Sequence, residues 1–194
     1  MRDFSVREIA NYVRRPHEEI GTVVDRIRGW SDVGLIKVLG SKFPGTGSKR
    51  RYAAQAIIDA IVLTALTDAG LAAVRVGYFQ GVDGQTVLGF GRMGAAAVFD
   101  PQNANKKIYL VIAGSPTASI HTTYLSYAFP EPVEIELNKP VPFPARTTQH
   151  VNVPPDATWS VVLHLNEIFR RLKGVITATL EHGFVNVALV NQGD

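Results

Sequence analysis

Residues 53–69 constrain the fold more than any other segment, because they are apolar nearly all the way around a helix. The apolar positions are Ile57, Ile58, Ile61, Val62, Leu63 and Leu66. A helix with apolar side chains on every face must be buried on every face. Gly70 then follows as a helix stop. The rest of the 194 residues therefore has to pack around this helix.

The composition is that of a foldable globular protein. Hydrophobic residues make up 46% of the chain and charged residues 19%, which excludes disordered and low-complexity classes. The chain has no cysteine, which excludes disulfide scaffolds, cysteine-based zinc sites, iron–sulfur clusters and thiol catalysis. No apolar stretch is long enough to cross a membrane and the N-terminus lacks a secretory pattern, so we expect a cytoplasmic protein.

Two short helices are predicted before the buried one. Ser5-Val6-Arg7-Glu8 forms a capping box, and apolar residues at helical spacing follow it to Val13. The second helix is predicted from about residue 17 to residue 32, with Gly34 as its stop. Its apolar stripe comprises Ile20, Val23, Val24, Ile27 and Trp30. Arg26 and Arg28 lie off that stripe, so we expect them to face solvent.

A basic hairpin is predicted between the second helix and the buried one. Residues 35–39 have the composition of a strand, residues 40–49 are rich in glycine, and Arg50-Arg51-Tyr52 returns from this loop. The charge is concentrated here, because residues 26–51 contain seven Lys or Arg and only one acid. Residues 1–75 have a net charge of +4 and residues 76–194 a net charge of −1. Such asymmetry indicates a polyanion-binding end.

The chain after Gly70 is predicted to be rich in strands. Strand-like runs occur at residues 74–79, 86–90, 107–112, 120–127, 133–137 and 160–165. A hairpin is predicted around residues 81–84, an irregular proline-rich segment at 138–155, and a final helix, capped by Asn166, to residue 182. The predicted fold class is therefore α+β. Its predicted domains are a winged helix-turn-helix at residues 1–72 and a mixed, β-rich domain with a C-terminal helix at residues 73–194.

The order helix, helix, basic hairpin, buried helix resembles the DNA-binding domain of MerR-type transcriptional regulators. The resemblance is carried by the segment Ile27-Arg28-Gly29-Trp30-Ser31-Asp32-Val33-Gly34-Leu35-Ile36, by Arg50-Arg51-Tyr52 and by the helix that ends at Gly70. It covers about residues 4–71 and leaves the C-terminal half unassigned. The chain departs from the family in about eight additional residues around 12–19, in Ala53 at a position that is usually polar, and in β-type sequence where a dimerising coiled coil normally follows. The family's promoter-untwisting activation is therefore not carried over.

The resemblance implies a set of DNA contacts. Arg28 and Arg51 would position the DNA backbone, and Thr22 and Arg26 would be the base-reading candidates. The remaining members of the predicted DNA-binding set are Arg15, Lys42, Lys49, Arg50 and Tyr52. Trp30 falls where the family has core aromatics. Tyr52 fits either the core or a phosphate contact.

Motifs for catalysis, metals and cofactors give weaker signals. Residues 89–94 match the glycine pattern of dinucleotide sites, but neither a long enough helix nor a suitably spaced acid is predicted after them, so we interpret them as a glycine-rich hairpin. The five histidines lack metal-binding spacing. We therefore predict no metal, no cofactor and no enzymatic activity.

The C-terminal half has two candidate roles. Its aromatic residues could line an effector pocket or could build a β core; they are Tyr78, Phe79, Phe90, Phe99, Tyr109, Tyr124, Tyr127 and Phe129. The predicted helix at 167–182 could pack on the sheet or dimerise. The expected function is that of a sequence-specific bacterial transcriptional regulator without catalysis, which occupies double-stranded DNA as a homodimer. Its C-terminal half would dimerise, sense a small-molecule or protein effector, or do both. The alternatives are a phage or plasmid architectural factor of excisionase or packaging type, and a basic module that binds an acidic protein.

Overall fold

The computed structural model describes residues 3–41, 49–71, 86–114, 122–128, 159–181 and 184–190. Within these ranges the protein is a mixture of five α-helices and small antiparallel sheets, which agrees with the predicted α+β class. The predictions for residues 74–79, 81–84, 133–137 and 138–155, and the contact assigned to Lys42, lie outside the described residues.

The first helix begins as the capping box predicts. A short strand β1 (Phe4–Ser5) leads directly into α1 (Val6–Val13). The Ser5 hydroxyl accepts a hydrogen bond from the Glu8 backbone N–H at 3.3 Å, and the Glu8 carboxylate accepts one from the Ser5 N–H at 2.7 Å. These reciprocal bonds satisfy backbone donors that a helix start leaves free.

The second helix, α2 (Ile20–Asp32), begins three residues later than predicted. The Glu18 side chain explains the difference, because its carboxylate accepts a hydrogen bond from the Arg15 backbone N–H at 3.4 Å and so closes a turn before α2. Val23, Ile27 and Trp30 are buried along the predicted stripe. Trp30 is only 6% exposed, which confirms its predicted place in the core.

The predicted strand at residues 35–39 is reduced to one antiparallel bridge between Leu39 and Arg51. The backbone N–H groups of Leu35 and Ile36 instead donate to the Trp30 carbonyl, so this stretch closes the end of α2. The returning strand β2 (Arg51–Tyr52) pairs antiparallel with β1.

The third helix, α3 (Gln55–Asp68), is the all-apolar helix, and ten of its fourteen residues are buried, as predicted. The helix ends at Asp68, and Gly70 follows with a φ of +84°, a conformation that glycine adopts readily. The helix packs against α1 on one side and against α4 (Val87–Phe99) on another. The central position expected from its sequence is therefore confirmed.

Helix α4 corrects two predictions. Residues 86–90 do not form a strand, and residues 89–94 are not a glycine-rich hairpin; both segments belong to one helix that Thr86 caps by accepting from the Gly89 N–H at 3.1 Å. Gly91 allows this helix to pack tightly, because a Cβ atom there would lie 2.9 Å from a Val62 methyl carbon. Gly91 therefore serves the packing of α4 against α3.

A buried ion pair joins α3 to α4. Asp59 is 2% exposed and receives two hydrogen bonds from Arg92, each 2.7 Å long, from Nε and Nη2. Burial raises the pKa of Asp59, and the hydrogen bond and charge of Arg92 offset part of that rise. The forked geometry fixes how the two helices are aligned.

The three-stranded sheet has the order β4-β3-β5 and is entirely antiparallel. Its strands are β3 (Lys107–Gly114), β4 (Thr122–Ala128) and β5 (Trp159–His164), close to the predictions for 107–112, 120–127 and 160–165. Ile108, Leu110 and Ile112 of β3 are buried in the main core. The Asn166 side chain fixes the start of β3, because it accepts a hydrogen bond from the Ile108 N–H and donates one to the Lys106 carbonyl.

The predicted C-terminal helix at residues 167–182, with Asn166 as its cap, is wrong. The chain instead forms a one-turn helix α5 (Leu165–Ile168), a 3-10 turn (Arg170–Leu172) and a hairpin of β6 (Ile176–Glu181) and β7 (Phe184–Leu189). Gly174 has a φ of +79°, which breaks the helix, and the β-branched run that follows favours a strand. The helix proposed for dimerisation is therefore not formed.

One continuous hydrophobic core extends from Phe4 to Val187 and includes residues on both sides of the predicted boundary at 72/73. The division into two domains remains a prediction. None of the helices in the described ranges combines the length and apolar character needed to cross a membrane.

Candidate nucleic-acid interface

The outer face of α2 is open to solvent. Gly21, Thr22, Asp25, Arg28 and Gly29 are all exposed on the side opposite the buried stripe. The Arg28 side chain is 55% exposed and pairs with Asp25 at 3.2 Å. Exposed pairs of this spacing contribute little stability, so Arg28 can exchange Asp25 for another anion at low cost.

Two glycines on this face are not required by the packing of the protein. A Cβ atom at Gly21 or Gly29 would meet nothing within 4 Å. Glycine in a helix interior is less stable than alanine by about 1 kcal/mol. Each glycine therefore weakens α2 without allowing a closer contact inside the described chain, and leaves a flat surface for a close approach from outside.

Arg26 was predicted to face solvent, but the structure places it against Glu18 and Trp30. Its guanidinium donates to the Glu18 carboxylate at 2.7 and 3.3 Å and lies 5.5 Å from the centre of the Trp30 ring. Burial opposes ionisation of Glu18, but the hydrogen bond and charge of Arg26, with smaller contributions from Arg15, lower the pKa of Glu18 below its ordinary value. Arg26 therefore fastens the turn to α2, and base reading would require it to leave this pair.

The base of the predicted wing is attached to the C-terminal end of α2. Arg50 forms an ion pair with Asp32, the last residue of α2, at 2.8 Å. Arg51 is exposed and donates to the Asp3 carbonyl at 3.3 Å, and none of the acids in the described ranges forms an ion pair with it. Lys49 is also exposed. Lys49 and Arg51 are thus the chain neighbours of Arg50, whose side chain contacts the last residue of α2.

Tyr52 must be removed from the predicted contact set. Its side chain is fully buried, and its hydroxyl lies 3.2 Å from the Ser31 hydroxyl, which donates to the Ile27 carbonyl at 2.9 Å. A side chain with no exposed surface cannot reach a phosphate. Its role is to pack β2 against α2.

Arg15 lies in the turn before α2, where it is half exposed and forms an ion pair with Asp68 at the end of α3. Nearby is a contact that sequence reasoning missed. Arg171 Nη1 donates to the Arg14 carbonyl at 2.8 Å, across 157 residues of sequence. The run Arg170-Arg171-Leu172-Lys173 was a visible signal of positive charge, but its position beside the turn depends on the tertiary fold.

The described aromatic residues of the C-terminal half pack within the protein. Phe90 is buried, Phe99 lies 6.2 Å from Phe169, and the Tyr109 ring stacks on His164 at 4.8 Å. Tyr78, Phe79 and Phe129 lie outside the described residues, as do the side chains of Tyr124 and Tyr127. Within the part of the chain that the structure describes, no three His, Asp or Glu side chains are grouped as metal ligands.

Known proteins provide no assignment for this surface. No protein-family model, curated protein or solved structure matches the chain. The function is therefore inferred from the exposed cations, the glycines of α2 and the contacts that join the turn, α2 and β2.

Proposed function

We propose that this protein is a sequence-specific DNA-binding transcriptional regulator that inserts α2 into the major groove. The observation that carries the proposal is the attachment of the basic segment 49–51 to α2 through the Arg50–Asp32 pair, next to an outer helix face that nothing in the described chain covers. The segment 49–51 would then lie at the base of the wing of a winged helix-turn-helix, beside the adjacent DNA backbone.

The dimensions of α2 fit this use. A helix with its side chains is about 10–12 Å across, and the major groove is about 12 Å wide. Thr22 is a short side chain that can contact a thymine methyl or donate to a base acceptor. The glycines at positions 21 and 29 allow the helix backbone to come close to the groove wall, because no side chain projects there.

The charges on α2 favour selective over indiscriminate binding. Arg28, Lys49 and Arg51 can each neutralise a phosphate and release its counterions. Asp25 and Asp32 add negative charge to the same helix, which opposes contact with a phosphate backbone that is not correctly aligned. An exposed Asp25 can also accept from a cytosine amino group when the sequence supplies one.

Control of transcription follows in this proposal from occupancy of an operator. A second copy of the chain would supply a second α2 and hence a second half-site, about one helical turn from the first. The C-terminal half is then the part that dimerises or binds an effector, although not through the helix that its sequence had indicated.

The test is selection of bound fragments from random double-stranded DNA by the purified full chain. We expect one enriched motif, with an inverted repeat if the protein binds as a dimer, and loss of binding to that motif in Arg28→Ala. Lys107→Ala removes an exposed cation from β3 and serves as the matched control. Enriched direct repeats would indicate an architectural factor. Absence of any enriched sequence would overturn the proposal and leave the acidic-partner alternative.

A further inference from the structure

We propose that the C-terminal half also contacts the DNA backbone directly, through a turn-side basic cluster. The cluster consists of Arg14, Arg15, Arg170, Arg171 and Lys173, all of them exposed. This inference deepens the proposed function and rests on it. Its ligand is the phosphodiester backbone that flanks the base pairs read by α2.

The contact between Arg171 and Arg14 brings the two parts of the cluster together. Arg14 is the C-terminal capping residue of α1, and its carbonyl accepts the 2.8 Å hydrogen bond from Arg171. A carbonyl holds the guanidinium in place without neutralising it. Arginine has five N–H donors in a planar fork, so Arg171 retains its charge and further donors for an anion. Its position is fixed in advance, which reduces the entropy lost on binding.

The charges of the cluster leave a positive excess. Asp68 pairs with Arg15, and Glu167 pairs with Arg170, whose side chain is 74% exposed. In the part of the chain that the structure describes, Arg171 and Lys173 form no ion pair with an acid. Exposed pairs are weak and are easily exchanged for a phosphate. Glu18 and Glu19 are two further acids in this turn, and Glu18 pairs with Arg26. With Arg26 counted, six cations face four acids.

The cluster lies at the end of α2 that a groove-binding helix presents to DNA. Arg14 precedes Ile20, the first residue of α2, by six positions, which an extended chain spans in about 20 Å at most. In helix-turn-helix proteins the N-terminal residues of the recognition helix contact base edges. The DNA backbone bordering those bases then passes close to the turn. Arg171 and Lys173 would then hold the DNA backbone near the N-terminal end of α2, while the segment 49–51 is attached to its C-terminal end.

The experiment measures the salt dependence of binding to the selected duplex, or to a random 30-base-pair duplex. The log of the binding constant falls with the log of salt concentration by about 0.9 for each phosphate neutralised. We expect Arg171→Gln together with Lys173→Gln to reduce the slope by about 1.8 and to weaken binding roughly 10–100-fold at 0.1 M salt. The base preference should not change. Lys107→Gln is the control with a comparable loss of charge.

Conservative variants separate phosphate binding from a structural role. Arg171→Lys retains the positive charge but loses the forked guanidinium, so its salt slope should remain close to that of the wild-type protein. Lys173→Gln alone should reduce the slope by about 0.9. Slopes equal to that of the wild-type protein in all variants would overturn the inference while leaving the proposed function intact. Equal losses in Arg171→Lys and Arg171→Gln would also overturn it, as would an unchanged slope in Lys173→Gln. Failure of the wild-type chain to bind DNA would instead reject the proposed function.

Discussion

Replacement of Gly29 by alanine should stabilise the protein and weaken its binding to DNA. Gly29 lies inside α2 on the exposed face, its φ is not positive, and an added Cβ would meet nothing within 4 Å. Alanine stabilises a helix interior relative to glycine by about 1 kcal/mol, so the free energy of unfolding should rise by about 0.5–1 kcal/mol. For a chain of this size that corresponds to an increase in Tm of roughly 1–4 °C.

The same methyl group would project from the surface that we place against the groove. Crowding by one methyl group in a close-packed contact costs about 1–3 kcal/mol, which corresponds to a loss of affinity of roughly 5–150-fold. Urea unfolding measures the first effect, and fluorescence anisotropy with the selected duplex measures the second. Gly21→Ala tests the other end of the same face.

The opposite signs of the two effects make this prediction refutable. A Gly29→Ala protein that is more stable and binds DNA with unchanged affinity would show that the glycine is not there for close approach to a ligand. A less stable protein, with the same urea dependence of its unfolding free energy, would show that this face of α2 is covered in the folded chain.

Three further changes test the fold and its charges. Gly91→Ala should destabilise the protein by about 1–3 kcal/mol in urea unfolding, because its methyl group would meet Val62 at 2.9 Å; an unchanged midpoint would mean that α4 moves freely away from α3. Asp59→Asn should cost about 1–3 kcal/mol, because it removes the counterion of Arg92, whose side chain is partly exposed, whereas Asp59→Leu with Arg92→Met should be nearly neutral in the same assay. Because the pKa of Glu18 is lowered on folding, its contribution to stability is present above the ordinary pKa of a glutamate and is lost as the pH falls through the folded value. Thermal melts between pH 3 and 7, about the range in which glutamates titrate, should therefore be flatter for Glu18→Gln than for the wild-type protein.

The elements that local sequence determines could be predicted. The capping box at Ser5 and Glu8 marks the start of α1, because both partners lie within one helical turn. The apolar run of α3 has only one stable environment, the centre of the core. Strand β3 is also local, since its run of aromatic, β-branched and other apolar residues favours a strand.

The elements that depend on distant residues could not be predicted. From the sequence alone Gly91 indicates a turn. Only the closeness of Val62 in the folded protein shows that the glycine allows two helices to pack. The prediction of a final helix was wrong because Gly174 and the β-branched residues after it favour a strand, although the apolar spacing also fitted a helix. In the candidate site, the exposure of Arg28 was predicted, whereas the Arg26–Glu18 pair and the contact of Arg171 with Arg14 require the tertiary structure.

The most direct measurement of the central claim is an anisotropy titration of the full chain against the selected duplex and a scrambled duplex, at several salt concentrations. The proposal predicts tighter binding to the selected duplex at every salt concentration, a linear decrease of log affinity with log salt, and loss of the discrimination in Arg28→Ala. Equal, weak binding to both duplexes that disappears near physiological salt would contradict DNA recognition by α2.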